Sequence, residues 1–220
     1  MRTARRIDLR GDPDTDLMPV LAHLEKGRLL AYPTETVYGL GGSVTSEAVR
    51  KVQTLKARDG SKPLLVLVDG PEAVAALAWS EAARTLARAF WPGALTLVLK
   101  DSNHIFPVGI RSERTDGVGV RVSPHPFVRR LLAAYGRPIT STSLNVPGTR
   151  PARTGREALE VAGELGPDEI LVLDGGTLPP SLPSTVVDCT GPVPIVLREG
   201  SIPTGRLRCA IPEIHERPDH

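Results

Sequence analysis

The chain has 220 residues, 40% of them hydrophobic and 24% charged, and a formal charge of +2 from 27 basic and 25 acidic side chains. That length and composition fit one globular domain with a real core, and the charge balance is too even to argue for nucleic-acid binding by itself. Cys189 and Cys209, the two cysteines, are too few for a disulfide framework or a zinc site; no stretch approaches the ~20 apolar residues of a membrane helix, and the basic N-terminus lacks a signal peptide's apolar run, so a cytoplasmic protein with free thiols is expected.

In chain order, Leu17, Val20, Leu21 and Leu24 recur at helical spacing, and Gly27 stops that helix. "RLLAYPT" reads as a buried strand. Ser46 reads as the N-cap of a helix carrying Val49, Val52 and Leu55, which ends near the charged loop "KARDGSK". "PLLVLV" (63–68) is a strand. "PEAVAALAW" and "SEAARTLARAFW" read as helices, the second closed by Pro92-Gly93. "ALTLVL" (94–99) and "VGVRV" (118–122) are strands on either side of a polar loop. "PFVRRLLAAYG" is an amphipathic helix ended by Gly136, and "PITSTS" is a strand running into polar residues. "REALEVAGELG" is a helix, and "EILVLDGG", "STVVDC" and "PIVLRE" are strands.

This alternation predicts an α/β fold with helices packed on a twisted, open sheet, and the helix-poor last third makes that sheet mixed rather than purely parallel. One domain over 1–209 is expected, with a polar, proline-containing tail over 210–220 that is expected to be disordered.

Four stretches carry side chains that a packing segment does not need. "AYPTETVYGLGG" (31–42) brings Thr34, Thr36 and Tyr38 off a strand end, either to hold a small polar ligand or to satisfy a local turn. Its Glu35 would act as a general base, or cap the turn and pair with a nearby cation. In "LKARDGSKPLLVLV", Lys56, Arg58 and Lys62 suit phosphate oxygens, or simply make a solvated loop. In "ITSTSLNVPGTRPARTG", Ser141, Ser143 and Asn145 alternate on one strand face, ready for a nucleotide or an amino acid, or form a strand edge entering a turn. Ser184 opens a later strand and Arg198 closes another. Ligands of open α/β sheets gather at strand ends, so the site is expected there. His125 in "SPHPF" reads as a helix-start or packing residue. The phosphate-binding, dinucleotide, nucleophile-elbow and zinc-protease motifs are absent, and no metal held by side chains alone is expected.

Taken in order, "YPTETVYGLGG", "KARDGSKPL", "WPGALTLVL", "VGVRVSPHP", "STSLNVPG", "PSTVVDCTG" and "VLREGSI" resemble the YrdC/YciO-like family of L-threonylcarbamoyladenylate synthases, from about residue 30 to 202. The resemblance implies the YrdC-like fold with a concave basic cavity. It implies condensation of L-threonine, bicarbonate and ATP to threonylcarbamoyl-AMP and pyrophosphate, for the t6A modification of tRNA completed by downstream transferase proteins. By the same resemblance, Thr34, Tyr38, Arg121, Ser141 and Ser184 would hold L-threonine, and Lys56, Arg58, Lys62, Ser143, Asn145 and Arg198 would hold ATP. Lys56 and Arg58 would be the catalytic cations, and Mg²⁺ would arrive bound with ATP. The sequence departs from the family pattern at Asp59 (usually proline), Leu144, Gly117 (usually threonine), Pro147 and Pro151. These departures leave open a diverged YciO-like paralogue, and a basic concave face leaves open double-stranded RNA or tRNA binding.

Overall fold

The computed structural model describes residues 4–11, 15–57, 63–166 and 168–217. Among them the chain forms β1 (Arg5–Asp8), α1 (Met18–Glu25), β2 (Leu29–Pro33), β3 (Tyr38–Gly41), α2 (Ser46–Leu55), β4 (Leu65–Leu67), α3 (Glu81–Phe90), β5 (Leu95–Lys100) and β6 (Gly117–Arg121). It continues with α4 (Pro126–Tyr135), β7 (Ile139–Ser143), α5 (Gly155–Leu165), β8 (Ile170–Asp174), β9 (Thr185–Asp188), β10 (Ile195–Arg198), α6 (Thr204–Ala210) and β11 (His215–Glu216). The strands make one open sheet in the order β1-β8-β2-β3-β7-β4-β6-β5-β9-β10-β11. Parallel pairs such as β2–β8 and β4–β6 alternate with antiparallel ones such as β2–β3, β4–β7 and β5–β6, the mixed sheet that the sequence predicts.

Local chemistry sets the helix ends. α5 starts with a full capping box, in which the Thr154 hydroxyl accepts from the Glu157 amide while the Glu157 carboxylate accepts from the Thr154 amide. α2 is capped by Thr45, one residue earlier than the Ser46 expected, because Thr45 has the extended backbone a cap needs and accepts from the Ala48 amide. α4 ends at Gly136 in the left-handed conformation.

Both faces of the sheet are buried, and β2 shows how. Leu29 and Ala31 join one apolar cluster with Val49 and Val52 of α2, Leu86 of α3 and Ala158 of α5. Leu30 and Tyr32 join the opposite cluster with Val20 and Leu24 of α1 and Val128 and Leu131 of α4.

Three expectations change. "PEAVAALAW" is only a 3-10 turn over Pro71–Val74, because Ala78 is drawn out to bridge Lys100 at the end of β5, a tertiary bond overriding helix propensity. "YGLGG", for which no strand was expected, supplies β3. The expected disordered tail is ordered through Arg217: Ile214 is 2% exposed, and β11 pairs with β10. Residues 218–220 lie outside the described residues.

Candidate functional site

The α1/α4 face of the sheet changes character across its middle. Ser141 on β7 pairs with Leu65, and Arg121 on β6 pairs with Leu67, so all four point to that face. On β5, Thr96 interrupts the buried Leu95 and Leu97 and faces Gly119. The strand ends do not gather at one edge as expected. Because β7 runs against β4 and β4 runs with β6, Ser143 and Arg121 close their strands at opposite edges; what they share is the face.

Arg121 is the buried charge of this face. Its side chain is 5% exposed, and Nη1 lies 3.5 Å from Oε1 of Glu35, whose side chain is 16% exposed. Ser123, two residues on, donates from Oγ to Glu35 Oε2 at 2.5 Å and accepts from the His125 amide at 3.2 Å. The arrangement is left incomplete. Five buried side-chain N or O atoms lack a hydrogen-bond partner among the described residues, and three of them are Glu35 Oε1, Arg121 Nε and His125 Nδ1. Buried polar atoms are nearly always satisfied, so such a concentration makes this group the candidate site. Burial pushes the His125 imidazole below its ordinary value, against a smaller opposing pull from Glu35, and so keeps it neutral at pH 7. Beside this group the Tyr32 hydroxyl donates to the Thr140 carbonyl at 3.1 Å, and burial raises its pKa well above the usual phenol value.

Thr34, Thr36 and Tyr38 frame the Glu35 turn. Thr34 Oγ1 donates to the Val37 carbonyl at 2.7 Å and accepts from the Thr36 and Val37 amides, which closes the turn in the way the local reading expected. The Tyr38 hydroxyl donates to the Gly176 carbonyl at 2.9 Å and accepts from the Gly175 amide at 3.0 Å, tying β3 to the end of β8; burial raises its pKa to about 12. Thr34 therefore shapes the turn that carries Glu35, whereas Tyr38 packs on the opposite face of the sheet with Leu29, Ala31 and Leu40.

A second group adjoins along β7. Lys56, the C-cap of α2 and 6% exposed, donates to the carbonyls of Ser143 (3.1 Å) and Asn145 (2.5 Å) and to Asn145 Oδ1 (2.6 Å). Ser143 Oγ donates to the same Oδ1 at 2.8 Å, and the Asn145 amide donates to the Val146 and Thr149 carbonyls. Lys56, Ser143 and Asn145 thus form one cluster. Arg58 and Lys62 lie outside the described residues.

A third group comes from the far strands. Ser184, just before β9, shares a hydrogen bond with Thr96 at 3.0 Å, and Arg198 donates to the Ser184 carbonyl at 2.8 Å. Burial lowers the Arg198 pKa, and the charge of Arg121 lowers it further. Glu35, weighed in the sequence, thus stands at the centre of the site, whereas Ser123 and Thr96, which lie in the stretches "VGVRVSPHP" and "WPGALTLVL", were assigned no role there, and Ser123 reaches a residue 88 positions away. Among the described residues, no cluster of three or more His, Cys, Asp or Glu could hold a metal ion, and no helix is long and apolar enough to cross a membrane.

A Sua5/YciO/YrdC family model, described as telomere recombination, matches residues 22–200. A threonylcarbamoyl-AMP synthase of Pyrococcus abyssi is 36% identical over 198 residues, which cover 89% of this chain and 57% of that protein. A threonylcarbamoyl-AMP synthase of Chromohalobacter salexigens is 36% identical over 173 residues, covering 76% of this chain and 89% of its own. The crystal structure of P. abyssi Sua5 complexed with L-threonine superposes with a TM-score of 0.85 at 32% identity, over 98% of this chain and 62% of that one. The chain therefore spans somewhat over half the length of its Pyrococcus relative.

Proposed function

Because the chain belongs to the Sua5/YciO/YrdC family, we propose that it is an L-threonylcarbamoyladenylate synthase, a nucleotidyltransferase that condenses L-threonine, bicarbonate and ATP to threonylcarbamoyl-AMP and pyrophosphate for tRNA t6A modification in the cytoplasm. The observation that carries this reading is the buried, incompletely bonded Arg121–Glu35 pair on one sheet face, accompanied by the Lys56–Ser143–Asn145 cluster at the end of β7. Relatives named for this synthase, and one solved with L-threonine, support it.

In this reading Arg121 takes the threonine carboxylate in a charge-assisted bond. Ser141 and Ser184 line the same face, Thr34 closes the turn that presents Glu35, and Tyr38 ties that turn's strand to the end of β8 from the opposite face. ATP lies toward Ser143, Asn145 and Arg198, and the family resemblance adds Arg58 and Lys62 as ligands of its phosphates. Lys56 already satisfies three acceptors, so its first task is to fix Ser143 and Asn145 where the nucleotide needs them. Mg²⁺ would enter with ATP on phosphate oxygens.

The chemistry asks for placement and charge neutralisation. The neutral threonine amine attacks the carbon of bicarbonate with loss of water, or of CO₂ with loss of a proton to solvent, and an oxygen of the resulting carbamate attacks the α-phosphorus and expels pyrophosphate. Holding the reactants in line and neutralising the phosphate charge lowers this barrier without a protein nucleophile. The test is pyrophosphate release from MgATP. Release that needs both L-threonine and bicarbonate is expected; release indifferent to threonine, or none from folded protein, would refute the assignment.

One observation favours a second reading, a diverged YciO-like paralogue with a different substrate. Gly117 stands where the family pattern has threonine, and a Cβ there would come within 2.6 Å of Val98 Cγ1. The neighbourhood has closed over the missing side chain. Rescue of t6A in cells lacking their own synthase separates the two readings, since a paralogue would not restore it.

A further inference from the structure

The two unsatisfied atoms of the central ion pair are of opposite kinds. Glu35 Oε1 is a buried anionic acceptor, and Arg121 Nε is a buried cationic donor. Their mutual contact, 3.5 Å from Oε1 to Arg121 Nη1, satisfies neither atom. A buried ion pair with loose geometry is poorly compensated for its lost hydration, and a partner carrying both charges would complete it. A simple anion would use only the arginine half. It would also sit against the Glu35 carboxylate, which repels it. A zwitterion with carboxylate and ammonium close together uses both halves.

The neighbours favour this orientation. Ser123 fixes Oε2 at 2.5 Å, so the carboxylate is held by one oxygen and presents the other. His125, whose amide bonds to the same serine, is neutral at pH 7 because of its burial, and its Nδ1 is itself a buried atom without a partner. His125 therefore adds no cation on the Glu35 side.

We propose that Glu35 is the ammonium-binding residue of the amino-acid site, with Oε1 accepting from the substrate's α-ammonium while Arg121 holds its carboxylate. This rests on the synthase reading, and gives the carboxylate of "PTETVYG" a substrate-selecting role: the site admits α-amino acids and rejects hydroxy acids of the same shape. Ser123 is a positioning residue acting through Glu35.

The experiment is calorimetric binding of L-threonine and of its amine-free counterpart, β-hydroxybutyrate, to the wild type, Glu35→Gln and Ser123→Ala. The wild type is expected to prefer threonine by about tenfold or more, the worth of one charge-assisted bond. In Glu35→Gln that preference should shrink to within about threefold, through weaker threonine binding alone. Equal loss of both ligands would mean that Glu35 only supports Arg121, and an unchanged preference would mean that it touches no amine; either result overturns the inference while leaving the synthase reading intact. A wild type that binds no threonine overturns both. If Glu35→Gln does not fold, Ser123→Ala decides: it keeps the charge but frees Oε2, so threonine affinity should fall while β-hydroxybutyrate is unaffected, and no change in the preference overturns the inference.

Discussion

Arg121 shows how far single residues could be read. Its motif marked it as a ligand for a carboxylate, and the fold buries it without satisfying Nε. Arg121→Lys keeps the charge but loses the planar fork, so threonine affinity should fall by about tenfold or more, while Arg121→Ala should lose binding and also leave Glu35 buried without its counter-charge. Threonine titration and thermal melts check both, and a lysine variant with wild-type affinity would remove Arg121 from the site. Ser143 and Asn145 were legible as a pair because strand alternation brings near neighbours together, whereas Lys56, 87 residues from Ser143, was marked by its own charged stretch and joins them only in the fold. The Glu35–Ser123 bond was not, since only the packed sheet joins residues 88 apart. Histidine titration belongs to this scale too. Burial lowers the pKa of both His23 and His125. Below the unfolded value of about 6.5 the unfolded chain therefore binds more protons, and stability present above that pH is lost as pH falls. The urea midpoint should drop between pH 7.5 and pH 5.5 (roughly one unit either side of that value), and the drop should shrink in His23→Gln; a flat profile would contradict the burial argument.

Among the elements, those with clean periodicity and caps were readable, and those set by close approach were not. β3 looks like a turn in sequence because Gly39 and Gly41 answer to their neighbours rather than to strand propensity. A Cβ on Gly41 would stand 1.7 Å from the Thr140 carbonyl oxygen, and one on Gly39 would stand 3.2 Å from Ser141 Oγ. Gly41→Ala must push β3 off β7, and a cost of about 3 kcal/mol in unfolding free energy is expected; a loss under about 1 kcal/mol would show that the strands can part cheaply. The α5 capping box was within reach of sequence, since "TGRE" has threonine and glutamate at the right interval. Thr154→Ala should cost about 1 kcal/mol by chemical denaturation. β11 escaped notice because two residues carry no periodicity, and its place depends on the main-chain bonds His215 makes to Pro194 and Arg217 to Val196.

For the whole molecule, the mixed open sheet followed from the alternation of strands and helices, but the strand order did not. β7 and β8, late in the chain, insert between and beside the early strands, and that return places Ser141 next to Tyr32 and Arg121 on one face. No local signal encodes such a crossover. In the proposed function, an amino acid and a nucleotide would lie side by side along β7. The proposed reaction predicts that carbon from bicarbonate ends up joined to threonine and AMP in one molecule. Incubating the protein with ¹³C-bicarbonate, L-threonine and MgATP, and analysing the products by mass spectrometry, tests that claim most directly. A labelled threonylcarbamoyl-adenylate, absent when threonine is omitted, is the predicted result. Folded protein that binds ATP and threonine yet yields no labelled adenylate would contradict it.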